Sequence, residues 1–305
     1  MTTKQSQDRL KLLKETKLFT AVITPLHLDG SVDFESFEAL LREQEKAQNG
    51  VVILGSTGEG LNIKKSDALS ILRFASSLKL SNAVMTGLPG SNLEETLSYL
   101  NELNSLPIDA YLVVTPLYAK PGEEGQYAWF KSILDRAGKP CMLYNVPGRT
   151  AVKMHPSAAQ RLNHHPNFWA LKEASGSLAD FKKFKSVLPN QALYSGDDGL
   201  MNDFATLGAC GLVSVASNVW PVETHRYVDA CLEHKLSPEE DVMWKKACDA
   251  LFYQAANPVP VKKLMYLKKK IKTPVLKAPL SHYDLSDHEK ILAGHEAVTT
   301  WFQNK

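Results

Sequence analysis

The chain has 305 residues, 44% apolar and 22% charged, with 35 Lys and Arg against 33 Asp and Glu for a formal net charge of +2. The apolar share excludes a disordered chain, and the near-neutral balance removes the field that nucleic acid or an anionic membrane surface would need. The longest apolar run, Ala110-Tyr111-Leu112-Val113-Val114, is far below the roughly 20 residues that cross a bilayer.

Residues 1–17 are polar, with no apolar leader core and no small-residue cleavage site. They read as a surface extension, with Leu10, Leu12 and Leu13 spaced as a short amphipathic turn. From residue 18 onward, β-type runs recur about every 30 residues: Leu18 to Ile23, Val51 to Leu54, Ala83 to Thr86, Ala110 to Val114, Cys141 to Tyr144, Phe168 to Lys172, Ala192 to Tyr194 and Gly211 to Val215. Helical periodicity fills the gaps. Phe34, Phe37, Leu40 and Leu41 share one face. Ser91-Asn92-Leu93-Glu94 resembles a capping box ahead of the stripe Leu93, Leu97, Leu100 and Leu103. Ser177 opens a helix whose Phe181, Phe184, Val187 and Leu188 face inward. Strand alternating with helix argues for a parallel sheet with right-handed crossovers, and eight units fit a closed (β/α)8 TIM barrel over 18–222 better than an open doubly wound sheet. Residues 223–305 read as a C-terminal helical region. Seven lysines lie between Lys262 and Lys277; in a near-neutral chain they read as a solvated face rather than a nucleic-acid tail. Cys141, Cys210, Cys231 and Cys248 form no C-x-x-C pair, which predicts free thiols in a reducing, cytoplasmic setting.

In a barrel the chemistry sits on the loops after the strands. The second strand ends in Gly55-Ser56-Thr57-Gly58-Glu59-Gly60. Its glycines let backbone N–H groups approach an anion, and its hydroxyls add donors for a carboxylate or a phosphate; a plain Gly-rich turn is the other reading. On the sixth strand, side-chain alternation puts Phe168, Ala170 and Lys172 on the inner face and Trp169 and Leu171 against the outer helices. The same count places Met142 and Tyr144 inside on the fifth strand, within reach of Lys172. A lysine inside a barrel is costly to keep charged, and a neutral amine attacks a carbonyl to form a Schiff base. A strand-end lysine can also snorkel to solvent, but a tyrosine beside it supplies the proton transfers that imine chemistry needs. No histidine falls at a strand end, and His164-His165 lies on a polar, Pro-flanked loop. Asp197 and Asp198, after the seventh strand, read as a turn and helix cap.

With Gly55-Ser56-Thr57-Gly58-Glu59, Val114-Thr115-Pro116-Leu117-Tyr118, Tyr144-Asn145-Val146-Pro147-Gly148-Arg149-Thr150, Leu171-Lys172-Glu173-Ala174-Ser175-Gly176 and Ser195-Gly196-Asp197-Asp198 in this order, the chain resembles the pyruvate-dependent class I aldolases of the dihydrodipicolinate synthase and N-acetylneuraminate lyase family. The resemblance covers roughly residues 18 to 265 and implies a role for each residue. Lys172 forms the imine with pyruvate, and Tyr144 moves protons at the imine carbon. Ser56 and Thr57 hold the pyruvate carboxylate, and Val213 turns a backbone carbonyl to the site. Tyr144, the hydroxyl of Ser56 and a Tyr118 donated by a neighbouring subunit form a relay. That donation implies a homo-oligomer, a dimer of dimers in the usual arrangement. No cofactor or metal is implied.

Arg149 stands where synthases bind the carboxylate of aspartate 4-semialdehyde, and Asn257-Pro258-Val259-Pro260-Val261-Lys262 is similar to a synthase segment. Both favour a 4-hydroxy-tetrahydrodipicolinate synthase in lysine and diaminopimelate synthesis over a neuraminate lyase or a 2-keto-3-deoxy-sugar acid aldolase, and the presence of Lys172, Tyr144, Tyr118 and a hydroxyl at Ser56 weighs against a non-catalytic keto-acid binder, which needs no relay. Ser56 departs from the threonine usual in synthases and matches the lyases. Lys65, Ala68, Thr96 and Leu117 replace the residues with which lysine-inhibited synthases hold lysine, and only Asn92 matches. The expectation is an enzyme insensitive to lysine.

Overall fold

The structure, a computed structural model, describes residues 3–252, 254–285 and 287–304. Eight parallel strands close into a barrel in sequence order: β1 (Leu18–Ala21), β2 (Gly50–Ile53), β3 (Val84–Gly87), β4 (Ala110–Val114), β5 (Cys141–Asn145), β6 (Phe168–Glu173), β7 (Ala192–Ser195) and β8 (Gly211–Ser214), with β8 pairing back onto β1. Helix α1 (Thr3–Glu15) precedes the barrel. The crossovers carry α2 (Phe34–Lys46), α3 (Lys65–Ser77), α4 (Leu93–Leu103), α5 (Glu123–Arg136), the short α6 (Pro147–Thr150) and α7 (Pro156–Gln160), α8 (Leu178–Val187) and α9 (Met201–Thr206). Then come α10 (Pro221–Leu232), α11 (Pro238–Phe252), α12 (Val259–Leu267) and α13 (Glu289–Gln303). Among the described residues no helix is long and apolar enough to cross a membrane.

The sheet separates two apolar layers. The outer layer runs from the strands' outward side chains (Val51, Ile53, Tyr111, Val113, Leu143, Leu171) through the helices and on into α11, α12 and α13. The C-terminal helices thus share one core with the barrel. Trp244 of α11 is the joint: its ring stacks on Tyr227 of α10 at 4.1 Å and meets Trp220 and Trp301 edge-on. Helix α10 runs across the boundary expected at residue 222. The inner layer is Phe19, Ala21, Val52, Met85, Ala110, Leu112, Met142, Tyr144, Ala170, Tyr194 and Val213.

Two expectations about local structure need correction. The cap of α4 is Asn92, one residue later than the motif suggested, and its side chain accepts from the Glu95 N–H. Phe168 packs outward and Trp169 inward, because a bulge between Cys141 and Met142 shifts the β5–β6 register and reverses the facing at the start of β6. Beyond the bulge, Ala170 and Lys172 face inward as the alternation requires. Ser177 caps α8 as expected, accepting from the Asp180 N–H.

Residues 1–17, expected as a surface extension, hold a docked helix. Leu13 is fully buried among the inner-layer residues, and Arg9 clasps Asp109 through both carboxylate oxygens while donating to the carbonyls of Leu80, Ser81 and Asn82. Lys17 and Thr16 continue the closure, their carbonyls accepting from the Leu212 N–H and the Tyr194 hydroxyl. Helix α1 therefore seals the floor of the barrel at the strands' N-terminal ends. The lysine-rich stretch is likewise less solvated than expected. Lys262 is wholly buried on Glu59, Lys270 pairs with Glu43, and Lys272 pairs with Glu35.

Candidate active site

The strands' C-terminal ends open into a cavity of about 830 Å³ whose lining includes Gly55, Ser56, Leu112, Tyr144, Val146 and Arg149. The loop after β2 forms one wall. Leu54 and Glu59 both adopt left-handed backbone (φ 57° and 58°), so the chain turns back tightly on itself. A Cβ on Gly60 would lie 2.1 Å from the Leu54 carbonyl, and one on Gly58 2.9 Å from the Val22 carbonyl, which is why glycine alone fits here. The amides of Glu59 and Gly60 are spent inside the turn on the carbonyls of Ser56 and Gly55. Those of Ser56 and Thr57 have no partner among the described residues, so they remain available to an anion. Thr57 is buried, and its hydroxyl accepts from the Asn257 amide at 3.0 Å, leaving its own proton for a carboxylate.

Glu59 holds this loop from behind. One carboxylate oxygen takes the Lys262 ammonium and the other the Lys277 N–H, while Lys262 also donates to the Val275 carbonyl. Both side chains of the ion pair are fully buried, and burial pushes the Lys262 ammonium below its usual value against the opposing pull of Glu59. Removing one partner of such a pair costs about 3–5 kcal/mol.

Lys172 and Tyr144 sit opposite each other in the β5–β6 register. The Lys172 ammonium nitrogen lies 4.4 Å from the centroid of the Tyr144 ring, and the two residues are 5% and 6% exposed. Room for the lysine comes from Gly196: a Cβ there would lie 2.6 Å from the lysine Cε. Tyr144 is held by Thr115, whose N–H and hydroxyl both donate to the Tyr144 carbonyl at 3.0 Å. Glu173 faces away from Lys172. It accepts from the Asn145 amide and the Ser175 N–H, and burial raises its carboxyl above the ordinary value. Ser56 lines the same cavity as Tyr144, but no hydrogen bond joins their hydroxyls among the described residues. Val213 lies buried in the inner layer beneath.

Arg149 is exposed at the mouth, on α6, and donates to the Asn257 carbonyl at 3.1 Å. Asn257 thus reaches Thr57 with its side chain and Arg149 with its backbone, and its own side-chain oxygen is buried without a partner among the described residues. Sequence reasoning noticed the 257–262 segment but missed this bridge, because the two contacts join residues 200 and 108 positions apart. Tyr118 is not brought to the cavity: it is 94% exposed, with a left-handed backbone (φ 64°). Lys65, which lines the cavity, is paired with Glu102; on α4, Thr96 donates its hydroxyl proton within the first turn and Asn92 is spent as the cap.

The family model described as the dihydrodipicolinate synthetase family matches residues 14–297. The 4-hydroxy-tetrahydrodipicolinate synthase of Francisella tularensis subsp. novicida is 43% identical over 288 residues, covering 94% of this chain and 97% of that one. Its namesake in Wolbachia pipientis wMel is 42% identical over 290 residues, covering 95% and 98%. Among solved structures, the synthase of Cyanidioschyzon merolae with lysine bound superposes with a TM-score of 0.86 at 31% identity, covering 94% of this chain and 99% of that one. The chloride-inhibited enzyme of Acinetobacter baumannii complexed with pyruvate gives 0.84 at 27% identity, covering 93% and 98%. A likeness that runs the length of both chains, on a closed barrel with a buried lysine opposite a tyrosine, places the chain in the dihydrodipicolinate synthetase family.

Proposed function

We propose that the chain is a lyase-type synthase that condenses pyruvate with aspartate 4-semialdehyde to 4-hydroxy-tetrahydrodipicolinate, with Lys172 as its Schiff-base nucleophile. The observation that carries the reading is the buried Lys172 amine lying over the ring of Tyr144, which itself lines the cavity. The Lys172 nitrogen adds to C2 of pyruvate and water leaves, giving an imine. Loss of a C3 proton gives the enamine, and C3 then bonds to the aldehyde carbon, whose oxygen takes up a proton. The amino group of the bound adduct attacks the imine carbon, closing the ring and displacing Lys172. Tyr144 and Ser56 move the protons, with the Tyr118 hydroxyl reaching them from a second copy of the chain. The free amides of Ser56 and Thr57 and the Thr57 hydroxyl proton suit the pyruvate carboxylate. Arg149 offers a guanidinium to the second carboxylate, a fork that a sugar hydroxyl does not need. Val213 turns its carbonyl toward the imine. The oligomer, the cytoplasmic setting and insensitivity to lysine belong to the same reading.

The test is parallel turnover of pyruvate with aspartate 4-semialdehyde and with N-acetylmannosamine, alongside borohydride trapping of pyruvate. Turnover with the semialdehyde alone, and a pyruvate adduct lost in Lys172→Ala, is the expected result. Turnover with the sugar alone would make Ser56 the informative residue and overturn the role of Arg149. Full trapping by Lys172→Ala would overturn the nucleophile.

A further inference from the structure

Asp198 is a wholly buried carboxylate that touches neither Lys172 nor the cavity. Three donors from the end of β8 converge on it: the Ser214 hydroxyl, the Val215 N–H at 3.0 Å and the Ala216 N–H at 3.3 Å. Ser214 in turn accepts from the Ser217 N–H, so a single carboxylate organises the whole bend from β8 into the 3-10 turn Ala216–Asn218. The bend begins one residue after Val213. On its other side Asp198 belongs to the loop Ser195-Gly196-Asp197-Asp198. There the Gly196 N–H extends the pairing with β6 by donating to the Glu173 carbonyl at 2.7 Å, and the Gly196 Cα leaves space for the Lys172 stem. The Asp198 carbonyl accepts from the Trp244 indole at 3.2 Å, anchoring the loop to α11. One short loop therefore touches the wall that carries Lys172 with its second residue and grips the β8 rim with its fourth.

We propose that Asp198 is a positioning residue for the reaction: its carboxylate fixes the β8 rim, and with it the Val213 carbonyl, relative to Lys172. The inference rests on the Schiff-base reading above. Three converging donors need an acceptor with no hydrogen of its own. A proton on Asp198 turns one oxygen into a donor and sets it against them, so the grip loosens with acid. Burial, offset by the three hydrogen bonds, pushes the Asp198 carboxyl up to about 6. The charged and titratable groups around it are Asp197 on its own loop and Cys248 and Asp249 on α11, with the Lys172 charge acting on Asp197.

The experiment measures kcat/KM for pyruvate from pH 5 to 8, with borohydride trapping of pyruvate as a second readout, in the unsubstituted protein and in Asp198→Asn and Ser214→Ala. In the unsubstituted protein kcat/KM falls as pH drops through about 6. Asp198→Asn, which carries donor hydrogens at every pH, shows a low rate without that limb, about 10-fold or more below the unsubstituted protein at pH 8, while still trapping pyruvate. Ser214→Ala removes a bond that lowers the carboxyl's pKa, so its acid limb moves to higher pH. That variant serves if Asp198→Asn does not fold. An acid limb unmoved in Ser214→Ala, or full activity with an unchanged limb in Asp198→Asn, overturns the proposal. No adduct in the unsubstituted protein overturns the Schiff-base reading and this proposal with it.

Discussion

Arg149 bonds the Asn257 carbonyl with one nitrogen and stands in solvent at the cavity mouth. Its remaining donors have no partner among the described residues, so a carboxylate arriving there meets a charge already oriented. A hydrogen bond to a charged group contributes about 1.5–3 kcal/mol, which is roughly 10- to 150-fold in affinity. Arg149→Ala should therefore raise KM for aspartate 4-semialdehyde by about that factor, while borohydride trapping of pyruvate proceeds at the unsubstituted rate. An equal loss on trapping would mean that Arg149 supports the pyruvate end instead. Lys172 and Tyr144 were legible because alternation along a strand fixes which side chains point inward, and both lie beyond the β5–β6 bulge. Phe168 and Trp169 were not, since a bulge leaves no mark in the hydrophobic pattern. Asp198 was legible only as a cap: its three donors come from residues 16 to 18 positions away. Its sign with pH argues against a purely stabilising role. The folded carboxyl sits at about 6 against an ordinary 3.8, so the native state takes up the proton first and stability falls as pH rises through that window. A buried carboxylate that costs stability at neutral pH is better explained by what it positions.

At the scale of elements, α1 shows where composition misleads. Its sequence is polar, and the family match begins only at residue 14, yet Leu13 is fully buried in the barrel floor and Arg9 holds five contacts there. The amphipathic spacing of Leu10, Leu12 and Leu13 was visible. The surface it meets was not, because that cluster is assembled from separate segments: Phe19 of β1, Ala83 just before β3 and Ala110 of β4. Truncating a buried leucine costs about 2–5 kcal/mol. Leu13→Ala should lower the melting temperature by several degrees and leave kcat at 25 °C unchanged, because the floor and the cavity lie at opposite ends of the strands. A matching fall in kcat would show that the plug also shapes the site. The Gly55–Gly60 loop makes the opposite case. Its glycines were legible as a tight turn, but its rear support, the buried Glu59–Lys262 pair, came from a lysine that counted as one of a solvated run.

For the whole molecule, the hydroxyl relay proposed above is incomplete within one chain. Ser56 and Tyr144 line the cavity, while Tyr118 is 94% exposed and held in left-handed backbone next to Leu117, which does line it. Leu61, 57% exposed on the same rim, adds apolar surface for a partner. If a second copy covers this rim, each site contains Lys172 from one subunit and Tyr118 from the other, as a two-fold contact requires. Two inactive variants then test the geometry. Lys172→Ala lacks the nucleophile, and Tyr118→Phe should lose about 10²-fold or more in kcat through the missing proton donor. In a dissociated and reassociated equal mixture, half the dimers are hybrids. Each hybrid holds one site with a native Lys172 and a native Tyr118 and one site with neither, so activity should return to about a quarter of the unsubstituted level. Were Tyr118 to serve the site of its own chain, every site in the hybrid would still carry one substitution, and mixing would restore nothing.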